Sequence, residues 1–564
     1  MTDRADPLSL SSSTIGALPI MNKFIDRIDL KALLERYLPS ATSQKLSHAQ
    51  AILLFVRNLL IERKALYRLS EWAAAYEPSL IGLQKARASI LNDDRVGRSL
   101  DALFLADRAS LLTSVVLKSI SAFDIQMVEL HNDSTTVTVT GEYHAPRSYK
   151  GKLAVRLAHG HNKDFRPDLR QLLFTLTVSR DGAVPIHYKS FDGNTTDDKT
   201  HIQVWENLRR IANRSDFIYV ADSKLCTREQ MLYLAKEGGR FISVLPETRK
   251  ECAWFKNWIR SNRIEWKGLL RRADHRRPNS GAKHLYWGFE SPLPSEEGFR
   301  ILWILSSQKR NQDAQRRQEK IQKTIEALAI LKQRVGKGKL KTKEQISSAV
   351  EAVLATYRSA QWFDWKVTVH EHGIYHQKSI GRPGKNTEYT RIIRHIWSFE
   401  AVPNERNIQG EAELDGMFPL ITNIATDQLS ARDVLLKYKY QPYIEKRHQQ
   451  FKSILEAAPV FLKLPHRIEA LMFVLFLALL LNALIERELR NAMRQQGIRS
   501  LPLYPEERKC RYPTTARVIS LFSNQRRNVL YEGGKMVKAF VDPLSKIQRT
   551  VPTLLRVPVD WFRA

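Results

Sequence analysis

Two aspartates, Asp133 and Asp222, each come at the end of a run of apolar and β-branched residues. The runs are "DIQMVELHND", 124–133, and "DFIYVAD", 216–222, and each is typical of a buried strand. Neighbouring parallel strands would bring the two carboxylates together at one edge of a sheet. Hard oxygen ligands suit Mg²⁺ or Mn²⁺, and two such ions about 3.5–4 Å apart serve phosphoryl transfer. We therefore predict a two-ion site held by this pair, although either aspartate alone would be explained as a turn residue.

A third carboxylate is predicted in the stretch "YKYQPYIEKRHQQFKS", 438–453. Pro442 fits the first turn of a helix, which places Glu445 near the helix N-terminus, where the dipole favours negative charge. Glu445 and Lys452 are seven residues apart and share one helical face. We expect Glu445 to bind metal, and Lys452 and Arg447 to bind phosphates. The alternative for this helix is an ordinary charged pair on a solvated face.

Two other glutamates are rivals for the third position. Glu411 and Glu413, in "QGEAELDGMF", precede a predicted core strand and alternate with Asp415. Alternate positions on a strand share one face, so all three could lie on one edge of the sheet. Glu445 is favoured because a long apolar helix downstream would hold its own helix rigid.

The composition indicates a polyanionic partner. The chain has 564 residues, with 89 Lys and Arg against 59 Asp and Glu, and a formal net charge of +30. Nucleic acid is the first candidate for such a charge, and a merely soluble basic protein is the alternative. Three cysteines suggest a reducing cytoplasm without a disulfide framework.

One apolar run, "ALMFVLFLALLLNALI", covers 470–485. A membrane span needs about 20 apolar residues, and this run is shorter and contains Asn482. It is therefore predicted to be a buried core helix. We expect a cytoplasmic protein with no membrane partner.

The apolar period divides the chain. Residues 1–122 are predicted to be helical, with a capping box at Ser47 and Gln50. From 123 the period changes to two, and the predicted order is β-β-β-α-β, with the two aspartates on the first and fourth strands. Asp181 and Gly182 are placed at a hairpin turn. Asp197 or Asp198 is expected to cap the helix that follows.

The segment after this core is predicted to be an insertion. Strand-like pieces surround a helical hairpin, whose first helix has one apolar face: Ile321, Ile325, Leu328, Leu331 and Val335. The predicted divisions are 1–122, helical with possible DNA-end binding; 123–255, first half of the catalytic domain; 256–405, insertion; 406–490, second half; and 491–564, basic C-terminal segment. The predicted fold class is α/β, a mixed sheet flanked by helices, with this insertion and an N-terminal helical domain.

These motifs resemble the DDE insertion-sequence transposases with a ribonuclease-H-like core. One group of that family has a tyrosine–arginine–glutamate–lysine signature, and Tyr438, Glu445 and Lys452 stand at its spacing. Gln441 occupies the place of the arginine, a residue with a DNA contact. The stretch "HGHNKDFRPDLRQLLF", 159–174, is also similar to a sub-branch with a long helical N-terminus.

The resemblance implies a cut-and-paste DNA transposase. Metal-dependent hydrolysis at the ends of the insertion element would free 3′-hydroxyls, which attack target DNA. It implies a ribonuclease-H-like fold, a catalytic triad of Asp133, Asp222 and Glu445, two Mg²⁺ or Mn²⁺ ions, and a homodimer that holds double-stranded terminal inverted repeats and target DNA. It also implies that the insertion reaches the DNA ends.

The expected DNA contacts come from two stretches: Tyr438, Gln441, Arg447, Lys452, Lys163, Arg166 and Arg170. The basic residues after the first acid could equally form a structural loop. Two alternative functions remain: a catalytically inactive DNA-binding protein derived from a transposase, and a ribonuclease-H-like nuclease that cuts without joining. A zinc site at His370, His372 and His376 is less favoured, because alternating histidines are ordinary on a strand.

Overall fold

The structure is a computed structural model. It describes the following residues: 8–40, 46–83, 89–143, 146–163, 165–273, 283–455 and 462–563, without the side chains of 453–455. They form two compact units. The first contains 1–244, 422–428 and 433–564, and the second contains 245–421 and 429–432. The five-part division predicted from the sequence stays a prediction.

Strands occur in both units. Their bounds are β1 Leu8–Thr14, β2 Glu129–Val139, β3 Ser148–Tyr149, β4 Lys152–Leu153, β5 Arg170–Ser179, β6 Pro185–Phe191, β7 Ile218–Val220, β8 Arg240–Val244, β9 Lys267–Ala273, β10 Lys283–Glu290, β11 Arg300–Ser306, β12 Phe363–Gln377, β13 Tyr389–Pro403, β14 Met417–Thr422, β15 Leu501–Pro502, β16 Lys509–Cys510, β17 Arg526–Glu532 and β18 Lys535–Val541.

Helices are distributed along the whole chain. Their bounds are α1 Leu18–Arg27, α2 Leu30–Tyr37, α3 His48–Ile61, α4 Leu69–Ala75, α5 Pro78–Ile81, α6 Asp93–Leu105, α7 Arg108–Phe123, α8 His201–Ala212, α9 Arg228–Lys236, α10 Lys250–Ser261, α11 Ser307–Lys332, α12 Lys343–Tyr357, α13 Glu405–Ala412, α14 Ala431–Tyr438, α15 Gln441–Leu455, α16 Pro465–Gln495, α17 Thr515–Leu521 and α18 Lys546–Leu554.

The core of the first unit is a mixed sheet in the order β6-β5-β2-β7-β8. Strand β5 is antiparallel to both β2 and β6, whereas β7 is parallel to β2 and β8 is parallel to β7. Helix α8 separates β6 from β7 in the chain, so the predicted β-β-β-α-β order is confirmed. The mixed sheet flanked by helices confirms the predicted α/β fold class.

Strand β2 is longer than the sequence prediction. It continues past Asp133 to Val139, so the expectation that this acid ends its strand is wrong. The reason is the partner strand: residues 130–139 of β2 pair without interruption with β5. The predicted hairpin turn at Asp181 and Gly182 is confirmed between β5 and β6, and Gly182 has the positive φ, +83°, that such a turn favours.

The N-terminal region is mainly helical, as predicted, and the capping box of Ser47 and Gln50 at α3 is confirmed. Strand β1 is an unpredicted addition. It pairs with β17 of the C-terminal segment, where β18 completes a three-stranded sheet. The polar stretch "LSLSSST" has no partner nearby in the chain, so local pattern alone does not reveal this strand.

Helix α16 runs through the core of the first unit. Within the described ranges it is the helix that is long and apolar enough to cross a membrane, but 94% of its most apolar 18-residue window is buried inside the protein. The prediction of a buried core helix at 470–485 is therefore confirmed.

The second unit combines the strands β9–β11 and β14 with a helical hairpin and a long ribbon. Helices α11 and α12 pack against the ribbon of β12 and β13 around Leu328, Val350 and Phe399. The predicted helical hairpin is confirmed, but Ile325 is 40% exposed and does not belong to the buried face. The buried face of α11 passes instead through Thr324, the residue before Ile325, together with Ile321, Leu328 and Leu331.

Candidate active site

The two aspartates lie on neighbouring parallel strands of the core sheet. The register of β2 and β7 pairs Glu129 with Ile218 and His131 with Val220. The ladder ends there, two residues before Asp133 and Asp222. The two carboxylates still lie close enough to interact, since the charge of Asp222 helps to raise the pKa of Asp133. The shared role predicted for these acids stays a prediction.

Asp222 follows the last residues of β7 and begins a short 3₁₀ helix. Its side chain accepts a hydrogen bond from the backbone N–H of Lys224 at 3.1 Å, as an N-cap residue does. The hydroxyl of Ser243 donates to its backbone carbonyl at 2.6 Å. These bonds hold the backbone of Asp222 in place while 41% of its side chain stays exposed.

The pKa of Asp133 is shifted by burial and by two neighbouring acids. Its side chain is 25% exposed. The pKa of Asp133 is raised to about 7, first by burial and then by the carboxylates of Asp222 and Asp197, against the opposing charge of Lys163. Like charges this close disfavour ionisation, and a bound cation would relieve that repulsion.

Glu445 is carried to this region by α15. The helix buries a face made of Ile444, Arg447, His448 and Phe451, which have helical spacing. The ring of Phe451 stacks on Phe174 of β5 with centroids 4.1 Å apart. Glu445 lies beside this buried face and is itself exposed.

The phenol of Tyr438 lies within electrostatic range of all three acids. Burial raises the pKa of its phenol to about 12, and the charges of Asp222, Glu445 and Asp133 contribute in that order. A single phenol that responds to all three carboxylates lies within their common electrostatic reach. Tyr438 ends α14, so the loop between α14 and α15 lies beside the acids.

Lys163 forms a polar bridge at the edge of the acid pair. Its ammonium donates to the backbone carbonyl and the hydroxyl of Ser134 at 2.8 and 2.7 Å and pairs with Asp197 at 2.9 Å. Asp197 therefore points at the site and does not cap α8, contrary to the sequence prediction. Thr200 begins α8 instead, without a side-chain cap, and donates its hydroxyl to the backbone carbonyl of Asp197.

Two buried histidines face the aspartates. Nε2 of His448 is 3.6 Å from Asp133, and Nε2 of His201 is 3.9 Å from Asp222. Neither nitrogen has a hydrogen-bond partner among the described residues. Burial, with Lys163 and Lys452 nearby, lowers the pKa of His448 to about 3, so its ring is neutral at pH 7. Burial also lowers the pKa of His201, whereas Asp222 opposes that shift.

The donor set fits a divalent cation in chemical terms. Hard carboxylate oxygens, mutual repulsion between the aspartates, and the unpartnered Nε2 atoms of His448 and His201 all favour a positive charge between them. Within the described ranges, however, no three His, Cys, Asp or Glu side chains stand close enough together to share an ion. To share one ion, the carboxylates of Glu445, Asp133 and Asp222 would have to move closer together.

The predicted phosphate-binding role of Arg447 does not agree with its position. Its guanidinium is buried and donates to the backbone carbonyls of Gly182 and Ala183 at 3.0 and 2.9 Å. It also pairs with Glu486 of α16 at 2.8 Å. Arg447 therefore fastens α15 to the β5–β6 turn and to α16. Sequence spacing does not distinguish such a buried arginine from an exposed one.

The other predicted DNA-binding residues differ in their distance from the acids, and Arg170 pairs with Val139, six residues along β2 from Asp133. Arg166 is exposed and makes a two-bond pair with Asp168, and Arg170 begins β5. Lys452 lies in the last turn of α15, close enough to His448 to influence its pKa. The amide oxygen of Gln441 is buried at the first turn of α15, beside His131.

The surroundings of Gln441 would not favour an arginine at this position. His131, Arg180 and Lys437 already contact one buried carboxylate, that of Glu129. An arginine beside His131 would add a further positive charge to this cluster without a further acid to balance it.

The rival glutamates, Glu411 and Glu413, lie outside the core sheet of the first unit. Glu411 lies on α13 and Glu413 caps it, so the expected strand alternation is wrong, and both belong to the second unit.

Three residues near the acids were not assigned a site role from the sequence. Asp197 and His201 lie beyond β6, and Glu129 begins β2. The pair Asp197-Asp198 was visible only as a helix start. Glu129 could have been suspected, because an acid inside a strand predicted to be buried needs buried partners.

Comparisons with known proteins give partial matches. A family model described as a domain of unknown function (DUF4277) matches residues 10–117. No curated protein matches the chain. A solved piggyBac transposase synaptic complex with hairpin DNA is 11% identical, covers 52% of this chain and 59% of that chain, and has a TM-score of 0.25. A Mos1 transposase paired-end complex with the left transposon end is 10% identical, with 36% and 61% covered and a TM-score of 0.14.

Proposed function

We propose that the chain is a DNA transposase that cleaves the ends of its insertion element and joins them to target DNA. The observation that carries the proposal is the electrostatic proximity of three carboxylates: Asp222 raises the pKa of Asp133, and Asp133, Asp222 and Glu445 all raise the pKa of Tyr438. Three residues stand at the spacing of the family signature. Tyr438 is the last residue of α14, Glu445 lies in the first half of α15, and Lys452 lies in the last turn of α15. The piggyBac and Mos1 complexes, although only partly similar, are transposases with DNA.

Each acid has a distinct part in this proposal. Asp133 and Asp222 are the fixed ligands for Mg²⁺ or Mn²⁺, because both backbones are held by the sheet or its adjoining turn. Glu445 is the adjustable ligand, since its exposed side chain can approach the pair. Two bound ions would activate the attacking oxygen and stabilise the leaving oxygen. The buried neutral side chains of His448 and His201 lie against Asp133 and Asp222 and exclude water from that side of the carboxylates.

The proposed reaction has two steps, and in each of them one phosphorus–oxygen bond forms and one breaks. In the first, water attacks a phosphorus at the element end, and the 3′-oxygen leaves and takes up a proton. In the second, that 3′-hydroxyl attacks a target phosphodiester and displaces another 3′-oxygen. The proposed partners are double-stranded terminal repeats, target DNA and a second copy of the chain. Tyr438, Lys452, Lys163, Arg166 and Arg170 are the proposed DNA contacts.

The net charge of +30 agrees with a DNA partner. Free, buried cysteines at 226, 252 and 510 agree with the proposed cytoplasmic location.

A cleavage and joining assay tests the proposal. Purified protein is incubated with Mg²⁺ and DNA that contains the sequences flanking its gene, and then with pre-cut ends that carry 3′-hydroxyls. Cleavage and joining together support a transposase. Cleavage without joining identifies the nuclease alternative, and specific binding without either reaction identifies the inactive DNA-binding protein.

A further inference from the structure

A buried charge cluster lies at the start of β2, four residues before Asp133. The side chain of Glu129 is 2% exposed and accepts hydrogen bonds from Arg180 at 2.8 Å and from Lys437 at 2.6 Å. It also contacts Nε2 of His131 at 2.9 Å. A carboxylate with this many charged partners fixes their positions relative to the strand.

The partners of this cluster belong to the junction between α14 and α15. Lys437 lies in the last turn of α14. The ring of His131 packs on Tyr440 with centroids 4.8 Å apart, and His131 lies beside Gln441, the first residue of α15. The junction is thus fastened to β2 at two places, through Glu129 and through His131.

The chain on either side of these anchors leads to the candidate active site. Tyr438 lies between the two anchored positions of the junction, and Glu445 follows one helical turn after Gln441. On the strand, Asp133 follows Glu129 by four residues. The charge cluster therefore sets the distance between the strand that carries one acid and the helix that carries another.

We propose that Glu129 is a positioning residue that holds Glu445 and Tyr438 in register with Asp133. The proposal rests on the proposed function, because it concerns the same site. Residues that orient metal ligands from behind commonly change metal affinity by about 10–100-fold when they are replaced. Glu129 touches no substrate, so its effect would be transmitted only through the position of the junction.

The competing explanation is that Glu129 contributes to stability alone. Asp101 provides a matched control: its carboxylate also accepts from an arginine and contacts a histidine, Arg467 at 2.7 Å and His466 at 2.9 Å. It is 9% exposed and joins α6 to α16, and it has no contact with β2 or α15 among the described residues. Loss of either carboxylate leaves its basic partners without their acid, but only Glu129 is linked to the junction.

The experiment compares Glu129→Gln with Asp101→Asn in the full-length protein. Hydrogen exchange of peptides that cover 437–449 measures the junction directly, and Mn²⁺ affinity measured by paramagnetic resonance measures the acid site. We expect Glu129→Gln to speed exchange in this segment and to weaken Mn²⁺ binding, each by about 10-fold or more. Asp101→Asn should change neither, although both variants lower the melting temperature.

A second pair of variants covers the case in which Glu129→Gln does not fold. Lys437→Arg keeps the cation and should match the wild type, whereas Lys437→Met should reproduce the faster exchange and weaker Mn²⁺ binding. Exchange at 437–449 that is no faster than in Asp101→Asn overturns the proposal, and so does unchanged Mn²⁺ affinity in spite of faster exchange. If the wild type binds no Mn²⁺, the proposed function fails, and the exchange comparison alone decides whether Glu129 anchors the junction.

Discussion

At the scale of single residues, the candidate site depends on charge that the fold concentrates. Asp133 lies on β2 and Asp222 two residues after the end of the neighbouring strand β7, and the pKa of Asp133 is raised to about 7 by burial and by its acidic neighbours. A carboxylate in such a position is costly unless a cation neutralises it. The acids therefore differ from the many surface carboxylates of the chain in what their replacement should do.

The aspartates should be required for catalysis and not for DNA affinity. We expect Asp133→Asn and Asp222→Asn each to reduce strand cleavage by about 10²-fold or more, because a small displacement at such a site already costs that much. Binding to the element ends should persist, since the substitutions remove negative charge. Gel-shift and Mg²⁺-dependent cleavage assays measure the two properties. Full cleavage by either variant would remove that aspartate from the proposed site.

Glu445 should be the third acid, and its rivals should be dispensable. Glu445→Gln is expected to abolish both cleavage and joining of pre-cut ends. Glu411→Gln and Glu413→Gln serve as controls and should keep substantial activity, because these residues lie on or cap α13 in the second unit. Wild-type joining by Glu445→Gln would show that the third ligand lies elsewhere.

Lys452 should affect DNA and not the metal. It lies two turns beyond Glu445 on α15 and carries a charge that can meet a phosphate. Lys452→Ala is expected to weaken end binding or cleavage by about 10-fold, while the Mg²⁺ concentration for half-maximal cleavage stays constant. A shift in that Mg²⁺ concentration would assign Lys452 to the metal site.

At the scale of elements, α15 and β2 form the structural frame of the site. Helix α15 is held on one side by Phe451 against β5 and on the other by Arg447, which pairs with Glu486 of α16. Strand β2 is held by its ladders to β5 and β7 and by the cluster around Glu129. The acids can keep their positions because both elements are fastened by buried contacts.

The pair of Arg447 and Glu486 should be costly to break from one side. Both side chains are buried, so Arg447→Met removes the shorter of the two arginine contacts of Glu486 and leaves it only the second, Arg490 at 3.4 Å. Removing one partner of a buried ion pair costs up to about 3–5 kcal/mol. We expect a clear fall in the melting temperature and partial recovery in Arg447→Met with Glu486→Leu. Arg166→Gln, at an exposed pair, is the control and should have little effect. A negligible effect of Arg447→Met on melting would argue against the buried pair.

Glu129 should make stability depend on pH at the acidic end. Burial alone would raise its pKa, but hydrogen bonds and charge from His131 and Lys437 lower the pKa to about 2, from an ordinary value of 4.5. A lowered folded-state pKa stabilises the protein above pH 4.5, by about 3 kcal/mol here, and that contribution disappears as the pH falls from 4.5 towards 2. The melting temperatures of the wild type and Glu129→Gln should differ most at pH 7 and converge in this window. A constant difference down to pH 2 would contradict the lowered pKa.

At the scale of the whole molecule, the net charge of +30 is the dominant feature. The C-terminal segment 491–564 alone has fourteen Lys and Arg against five Asp and Glu. Charge of this size releases counterions when the protein binds DNA, and the effect is independent of base sequence. It therefore bears on affinity and association, and not on which DNA ends are recognised.

DNA binding should weaken steeply with salt. The logarithm of the binding constant should fall linearly with the logarithm of the salt concentration, with a slope of about −0.9 for each phosphate neutralised. Fluorescence anisotropy with duplex DNA measures the slope, and Asp133→Asn avoids cleavage during the titration. A nearly flat dependence would exclude binding through phosphate contacts.

Local sequence was sufficient for features that depend on neighbouring residues. The capping box at Ser47, the turn at Gly182, the helix of α15 and the apolar core helix all follow from spacing, propensity and composition over a few turns. The proximity of Asp133 and Asp222 was also within reach, because the β-β-β-α-β pattern makes β2 and β7 neighbouring parallel strands.

Tertiary structure alone decided features that join distant parts of the chain. Strand β1 pairs with β17 more than 500 residues away, Arg447 is buried by a turn and a helix on either side of it in sequence, and Lys163 and Asp197 meet across β5 and β6. The same residue types at the same spacing would look alike whether exposed or buried. Burial and pairing are properties of the packed chain, and for that reason the sequence could only propose the acids, while the tertiary structure decided which residues surround them.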